Sequence, residues 1–220
     1  MNIPNAQEPG QSNNVFVVDD DASFLKSISR LLDASGYSVQ SFSSAREFLF
    51  SLKPDASGCV VVDLQMPDLS GFDLQEALAK TSNPLPLVFI TGQGDIPATV
   101  RAMRGGAEDF LTKLAPKEHL LAAVQRALQR EARERRLRRR SQELRVLFSR
   151  LSKREKEIMG KVILGKMNKH IAAEVGISER TVKLHRTGIT RKLGIQSVAE
   201  LTRLAAEAGM FSSTDSSAGS

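Results

Sequence analysis

Cysteine is almost absent. Cys59 is alone in 220 residues, so no internal disulfide can form and nothing argues for an oxidising compartment. It borders an apolar run and reads as a buried structural thiol rather than a reactive one. Tryptophan is missing and tyrosine occurs once, which leaves no aromatic set for stacking bases and speaks against an RNA-binding output. No apolar run approaches the ~20 residues needed to cross a bilayer, so no membrane partner is expected. Residues 1–14 are polar and turn-rich, without a basic segment followed by an apolar one. A signal peptide is therefore not expected, and a soluble cytoplasmic protein is the default. The three histidines, His119, His170 and His185, lack metal-ligand spacing.

What is present is charge, unevenly placed. The net charge is +6, yet residues 1–128 carry 10 basic against 15 acidic side chains, and residues 129–220 carry 21 against 10. An acidic half joined to a basic half suggests a different partner for each, with nucleic acid favoured for the second. A merely solvated basic surface is the alternative that charge alone leaves open.

The stretch from Cys59 to Gly71 organises the first half. Val60, Val61 and Val62 read as a strand buried on both faces. The run stops at Asp63, and Pro67 and Gly71 mark a turn. A carboxylate there is costly unless paired or used, although a helix cap or a loop acid fits the local pattern equally well. Similar apolar runs cover Val15–Val18, Tyr37–Phe42, Leu87–Ile90 and Asp109–Thr112. Helical periodicity separates them, at residues 22–35, 45–52, 72–79 and 96–103, and a last helix starts near Pro116. Five strands alternating with five helices predict an α/β doubly wound, five-stranded parallel sheet of the flavodoxin-like kind. In such sheets ligands bind beyond the carboxyl ends of the strands. Asp19, Asp20, Asp63, Thr91 and Lys113 all fall at such ends. Hard oxygen ligands suit Mg²⁺, which would let Asp63 approach a phosphoryl group, with Lys113 and Thr91 on its oxygens. A flavin- or nucleotide-binding enzyme is the competing reading. It would be expected to place glycine, serine or threonine after the first strand rather than three aspartates, and Thr91-Gly92-Gln93-Gly94 lacks the rest of a P-loop.

Residues 15–128 resemble the receiver domain of two-component response regulators. The resemblance rests on Val17-Val18-Asp19-Asp20-Asp21, Val62-Asp63-Leu64-Gln65-Met66-Pro67-Asp68-Leu69-Ser70-Gly71, Phe89-Ile90-Thr91-Gly92 and Asp109-Phe110-Leu111-Thr112-Lys113, in that order. It implies that Asp63 is the phosphoacceptor. Asp19, Asp20, Asp63 and the main-chain carbonyl of Gln65 would hold Mg²⁺. Thr91 and Phe110 would be the switch pair, and Lys113 the phosphate-contacting lysine. Asp21 reads as a loop residue or a helix cap. One departure stands out: the family usually has proline, often cis, after that lysine, whereas Leu114 stands here. A cis bond before a non-proline residue costs about 2.5–4 kcal/mol, so the loop is expected to differ in shape.

Residues 129–150 hold seven arginines between Arg130 and Arg140 and no turn residue. Leu137, Leu144 and Leu151 lie seven apart, which hints at a coiled-coil seam. A solvent-exposed helical linker is the preferred reading, with DNA phosphates as a non-specific contact. Beyond it, a capping-box sequence at Ser152–Glu155 opens a helix that stops near Gly165. Further helices are expected at Asn168–Val175, from Ser178-Glu179 to Leu193, and at Val198–Ala208, with a disordered tail from residue 211. The middle two, joined through Gly176, fit a helix-turn-helix. Residues 151–210 resemble the LuxR-type DNA-binding domain, chiefly through the run Asn168–Thr187. The resemblance implies that Lys183, Leu184 and Thr187 face the major groove, with Lys169, Ser178, Thr181, His185 and Arg186 nearer the backbone. Arg191 and Lys192 add cations to the same helix.

Together these halves look like a response regulator of the FixJ/NarL type, with a disordered segment at residues 1–14. The resemblance implies no enzyme beyond the receiver's own phosphoryl transfer and dephosphorylation. Its partners would be a sensor histidine kinase, double-stranded DNA at promoter half-sites, a second copy of the chain when phosphorylated, and RNA polymerase as a further contact. The alternative is a constitutive DNA-binding regulator whose receiver serves as a dimerisation or ligand module.

Overall fold

Valine, isoleucine and phenylalanine stiffen the short runs of the first half into strands, and the computed structural model, which describes residues 12–210, pairs all five. They are β1 (Asn14–Val18), β2 (Ser38–Phe42), β3 (Cys59–Asp63), β4 (Leu87–Thr91) and β5 (Asp109–Thr112). All pair in parallel, in the order β2-β1-β3-β4-β5. Asn14, grouped with a disordered start on sequence grounds, opens β1, and Ser12 Oγ donates to the Ser57 carbonyl at 3.1 Å. The expected disorder of residues 1–11 and 211–220 lies outside the described residues.

Period-two alternation sends successive side chains of each strand to opposite faces. Phe16, Val18, Val60, Val62 and Phe89 meet α2 (Ala45–Ser51), α3 (Gly71–Ala79) and α4 (Ile96–Arg104) through Phe48, Leu74, Leu78 and Ala102. Val15, Val17, Cys59, Val61, Val88 and Ile90 meet α1 (Ala22–Ala34) and the start of α5 (Lys117–Ser149) through Ile28, Leu32, Leu120, Val124 and Leu128. Each valine, leucine, isoleucine or phenylalanine buried in this way stabilises by about 1.5–3 kcal/mol. Cys59 is fully buried, and desolvation pushes its thiol far above the usual range, as an inert structural thiol requires.

The described residues divide into two compact units, which meet between Arg135 and Arg136. In the second, α6 (Lys153–Ile163), α7 (Asn168–Val175), α8 (Glu179–Leu193) and α9 (Val198–Glu207) surround Ile158, Ile171, Val182, Ile189 and Leu204. The end of α5 belongs to this core. Leu144 and Phe148 are 2% and 1% exposed, and Leu151 packs with them. The heptad spacing of Leu144 and Leu151 therefore serves the domain's own interior, and this part of 129–150 is not the solvent-exposed linker expected; Leu137 alone of the three is exposed.

Candidate functional site

The strand order reverses between β1 and β3, and the carboxyl ends of the sheet converge there. Asp19 follows β1, Asp63 ends β3, Thr91 ends β4 and Lys113 follows β5. One carboxylate oxygen from each of Asp19, Asp20 and Asp63 lies within 4.8 Å of the others. Asp19 is fully buried, Asp63 is 6% exposed and Asp20 faces solvent. Burial raises the Asp19 carboxyl above its usual value, against the lowering effect of Lys113 and the Asp21 amide. A carboxylate buried this deeply calls for a cation beside it.

In the structure that cation is the Lys113 ammonium, at 2.6 Å from Asp19 Oδ2 and 2.9 Å from Asp63 Oδ2. Burial works to lower the lysine, but hydrogen bonds to the two aspartates outweigh it and raise it. The family's proline is not needed to aim this side chain. Lys113 N donates to the Thr91 carbonyl at 2.7 Å, Ala115 N donates to Thr112 O at 2.9 Å, and Leu114 turns outward at 92% exposure. No peptide bond among the described residues is cis.

Backbone contacts hold the remaining groups. Asp63 Oδ1 accepts from Gln65 N at 3.3 Å. A Cβ on Gly71 would lie 2.5 Å from the Asp63 carbonyl oxygen, so only glycine lets α3 start against the end of β3. Thr91 is buried, but its hydroxyl donates to the Gln93 carbonyl at 3.0 Å, within its own loop. Phe110 is half-buried with its ring 5.9 Å from that of Phe89. Asp21 caps α1, accepting from Ser23 N and Phe24 N. Sequence reasoning missed Phe24, whose ring lies 4.5 Å from the Lys113 ammonium. Its helical spacing marked it only as an apolar position.

The second constellation lies on α8. Gly176 ends α7 in the left-handed conformation, and Ser178 caps α8 by accepting from Thr181 N at 3.1 Å. Val182, Ile189 and Leu193 face the core, and Arg180, Lys183, Leu184, Thr187 and Arg191 form an exposed stripe at helical spacing. Arg180 was not among the sequence candidates, although its i−3 spacing from Lys183 was the available signal. Lys169 is exposed on α7. His185 and Thr181 are half-buried, and Arg186 is bound to Asn168 Oδ1 at 2.7 Å, linking α8 to α7.

Lys192 turns from that stripe towards Glu155, at 2.7 Å. Glu155 is 6% exposed and also accepts from Ser152 N, completing the capping box of α6. Lys192, followed by the Ser152 amide, holds the Glu155 carboxyl at about 2. A depressed carboxyl contributes its full stability above its unfolded value near 4.5 and loses it as pH falls towards 2. Glu155→Gln is expected to cost about 1–2 kcal/mol at neutral pH, a modest figure because the half-exposed Lys192 regains water. It should also flatten the loss of stability between pH 4.5 and 2, which urea melts across that window would read.

Residues 15–125 match the family model of the response regulator receiver domain, and residues 149–205 that of bacterial regulatory proteins of the luxR family. Nodulation protein W of Bradyrhizobium diazoefficiens is 45% identical over 196 residues, covering 89% of this chain and 86% of that protein. Transcriptional regulatory protein FixJ of the same organism is 37% identical over 198 residues, covering 90% and 97%. Among solved structures, response regulator StyR matches with a TM-score of 0.75 at 45% identity over 88% of this chain and 98% of that one. Full-length FixJ from B. japonicum matches with 0.55 at 36% identity over 94% and 100%. None of the described helices is long and apolar enough to cross a membrane. With a receiver-type sheet and a LuxR-type helical unit in one chain, this protein belongs to the two-component response regulators that carry a LuxR-type DNA-binding domain.

Proposed function

We propose that a sensor histidine kinase transfers a phosphoryl group to Asp63, and that the modified receiver promotes dimerisation and binding to paired promoter half-sites. The observation that carries this reading is the convergence of Asp19, Asp20, Asp63 and Lys113 at one sheet edge. The donor set, the carboxylates of Asp19, Asp20 and Asp63, to which the resemblance adds the main-chain carbonyl of Gln65, has the chemistry of a Mg²⁺ site. When bound, Mg²⁺ would supply positive charge to the phosphoryl oxygens.

The side chains do the rest. An Asp63 carboxylate oxygen bonds to phosphorus as the bond to the kinase's histidine nitrogen breaks. Lys113, already on Asp63, is in reach of the new oxygens. The group adds about −1.5 to −2 of charge if it resembles other phosphorylated side chains. Thr91 would leave Gln93 to donate to it. The Thr91–Gly94 loop would then move against Phe110, because a Cβ on Gly94 would already stand 3.1 Å from that ring. Ile96, Val100 and Met103 expose an apolar surface on α4, the face expected to pair two copies.

In the second unit, α8 would enter the major groove. Lys183, Leu184 and Thr187 would face the bases, and Lys169, Ser178, Thr181, His185, Arg186, Arg180 and Arg191 the strands nearby. Lys192, engaged with Glu155, would position the helix instead of touching phosphate. Arg180→Ala is expected to weaken binding to all sequences and lower the salt slope of log affinity by about 1, read from titrations at several salt concentrations.

The constitutive alternative would draw its support from Leu114, the residue that stands where the family usually has proline. That residue leaves Lys113 on Asp63, so it no longer favours that reading. The test is incubation of the full chain with a small-molecule phosphodonor and Mg²⁺. One phosphoryl adduct, with a shift to dimer and tighter promoter binding, is expected. An adduct that leaves DNA binding unchanged would reject the switch.

A further inference from the structure

Lys113 contacts three groups, and only two of them are acids. Its ammonium lies 2.6 Å from Asp19, 2.9 Å from Asp63 and 4.5 Å from the centre of the Phe24 ring. The side chain is 19% exposed, so this attraction acts in a partly desolvated place. The ring is held there by the loop that carries Asp19. Asp19 Oδ1 accepts from Asp21 N at 2.9 Å, and Asp21 Oδ1 accepts from Ser23 N and Phe24 N at 2.8 and 3.2 Å. Each bond in this relay orients the next residue, from Asp19 to the first turn of α1.

Two cations compete for one pair of carboxylates. Mg²⁺ binds oxygen at about 2.0–2.1 Å in near-octahedral geometry. The Lys113 ammonium, on Asp19 Oδ2 and Asp63 Oδ2, would repel a divalent ion placed among the same carboxylates. Lys113 in this position therefore opposes metal binding at these acids, and anything that stabilises the parked lysine weakens metal affinity.

We propose that Phe24 is a positioning residue that parks Lys113 over Asp19 and Asp63 and so sets how tightly the receiver binds Mg²⁺. This rests on the acid cluster being the Mg²⁺ site. The ring favours the parked state through its π face, a property that leucine lacks and tyrosine keeps.

The experiment is calorimetric titration of the full-length protein with Mg²⁺, with circular dichroism confirming that each variant is folded. Phe24→Leu is expected to tighten Mg²⁺ binding by about two- to thirtyfold, the span of one cation–π contact from exposed to desolvated sites. Phe24→Tyr should restore the wild-type affinity. In a Lys113→Ala background, Phe24→Leu should change nothing, because the ring then has no ammonium to hold. Wild-type affinity in Phe24→Leu, or the same gain without Lys113, would overturn the proposal. Absence of Mg²⁺ binding by the wild type would overturn the metal reading beneath it, and the two failures are distinguished by the wild-type titration alone.

Discussion

Asp63→Asn is expected to abolish the phosphodonor-dependent mass gain of the full chain, together with the tightening of promoter binding that follows it. The amide has nearly the same shape as the carboxylate, so the end of β3 should keep its packing and its contact with Gly71. What it loses is the negative charge and the nucleophilic oxygen. Lys113 retains Asp19 at 2.6 Å, so the ammonium is not left without an acid. Folding and basal DNA binding should therefore stay close to wild type, and only the response should vanish. Intact mass and DNA titration, each with and without phosphodonor, separate these effects. Phosphate-stimulated binding that persisted in Asp63→Asn would place the acceptor elsewhere.

Phe148→Ala is expected to remove about 3–5 kcal/mol from the helical unit, a large part of the stability of a domain this size. Phe148 is 1% exposed and packs with Leu144, Leu151 and the interiors of α6 to α9. Truncation leaves a cavity that flanking helices fill only partly. Urea unfolding followed by far-UV circular dichroism should show an early loss of helix in this variant. A fragment starting at residue 136 should fold, whereas one starting at residue 151 lacks both Leu144 and Phe148 and should not. If both fragments folded equally well, the end of α5 would be a linker after all.

The sequence was most legible where burial is two-sided. Val60 to Val62 and Leu87 to Ile90 lie inside a parallel sheet, so they form continuous apolar runs that end where the strand ends. Parallel winding then brings Asp19, Asp63, Thr91 and Lys113 to one edge, and the acid cluster follows from topology without knowledge of side-chain contacts. Capping chemistry was equally local: Asp21, Ser152 and Ser178 start helices through bonds to residues two or three positions away.

Partner choice among residues with the same local pattern was not legible. The spacing of Leu144 and Leu151 suits a seam between two chains or a core within one, because an apolar stripe does not specify what covers it; here Ile158 and its neighbours do. Arg191 and Lys192 are adjacent cations, yet a helix turns about 100° per residue, and that turn leaves the first exposed and sends the second to Glu155. Phe24 and Lys113 meet only because α1 and the end of β5 flank the same sheet edge. The sequence by itself determined the two folds, the acids at the strand ends and the caps, since these depend on periodicity and near neighbours. Only the tertiary structure decided which cations of α8 pair with an acid of another helix and what holds Lys113, because those contacts depend on how distant elements are packed.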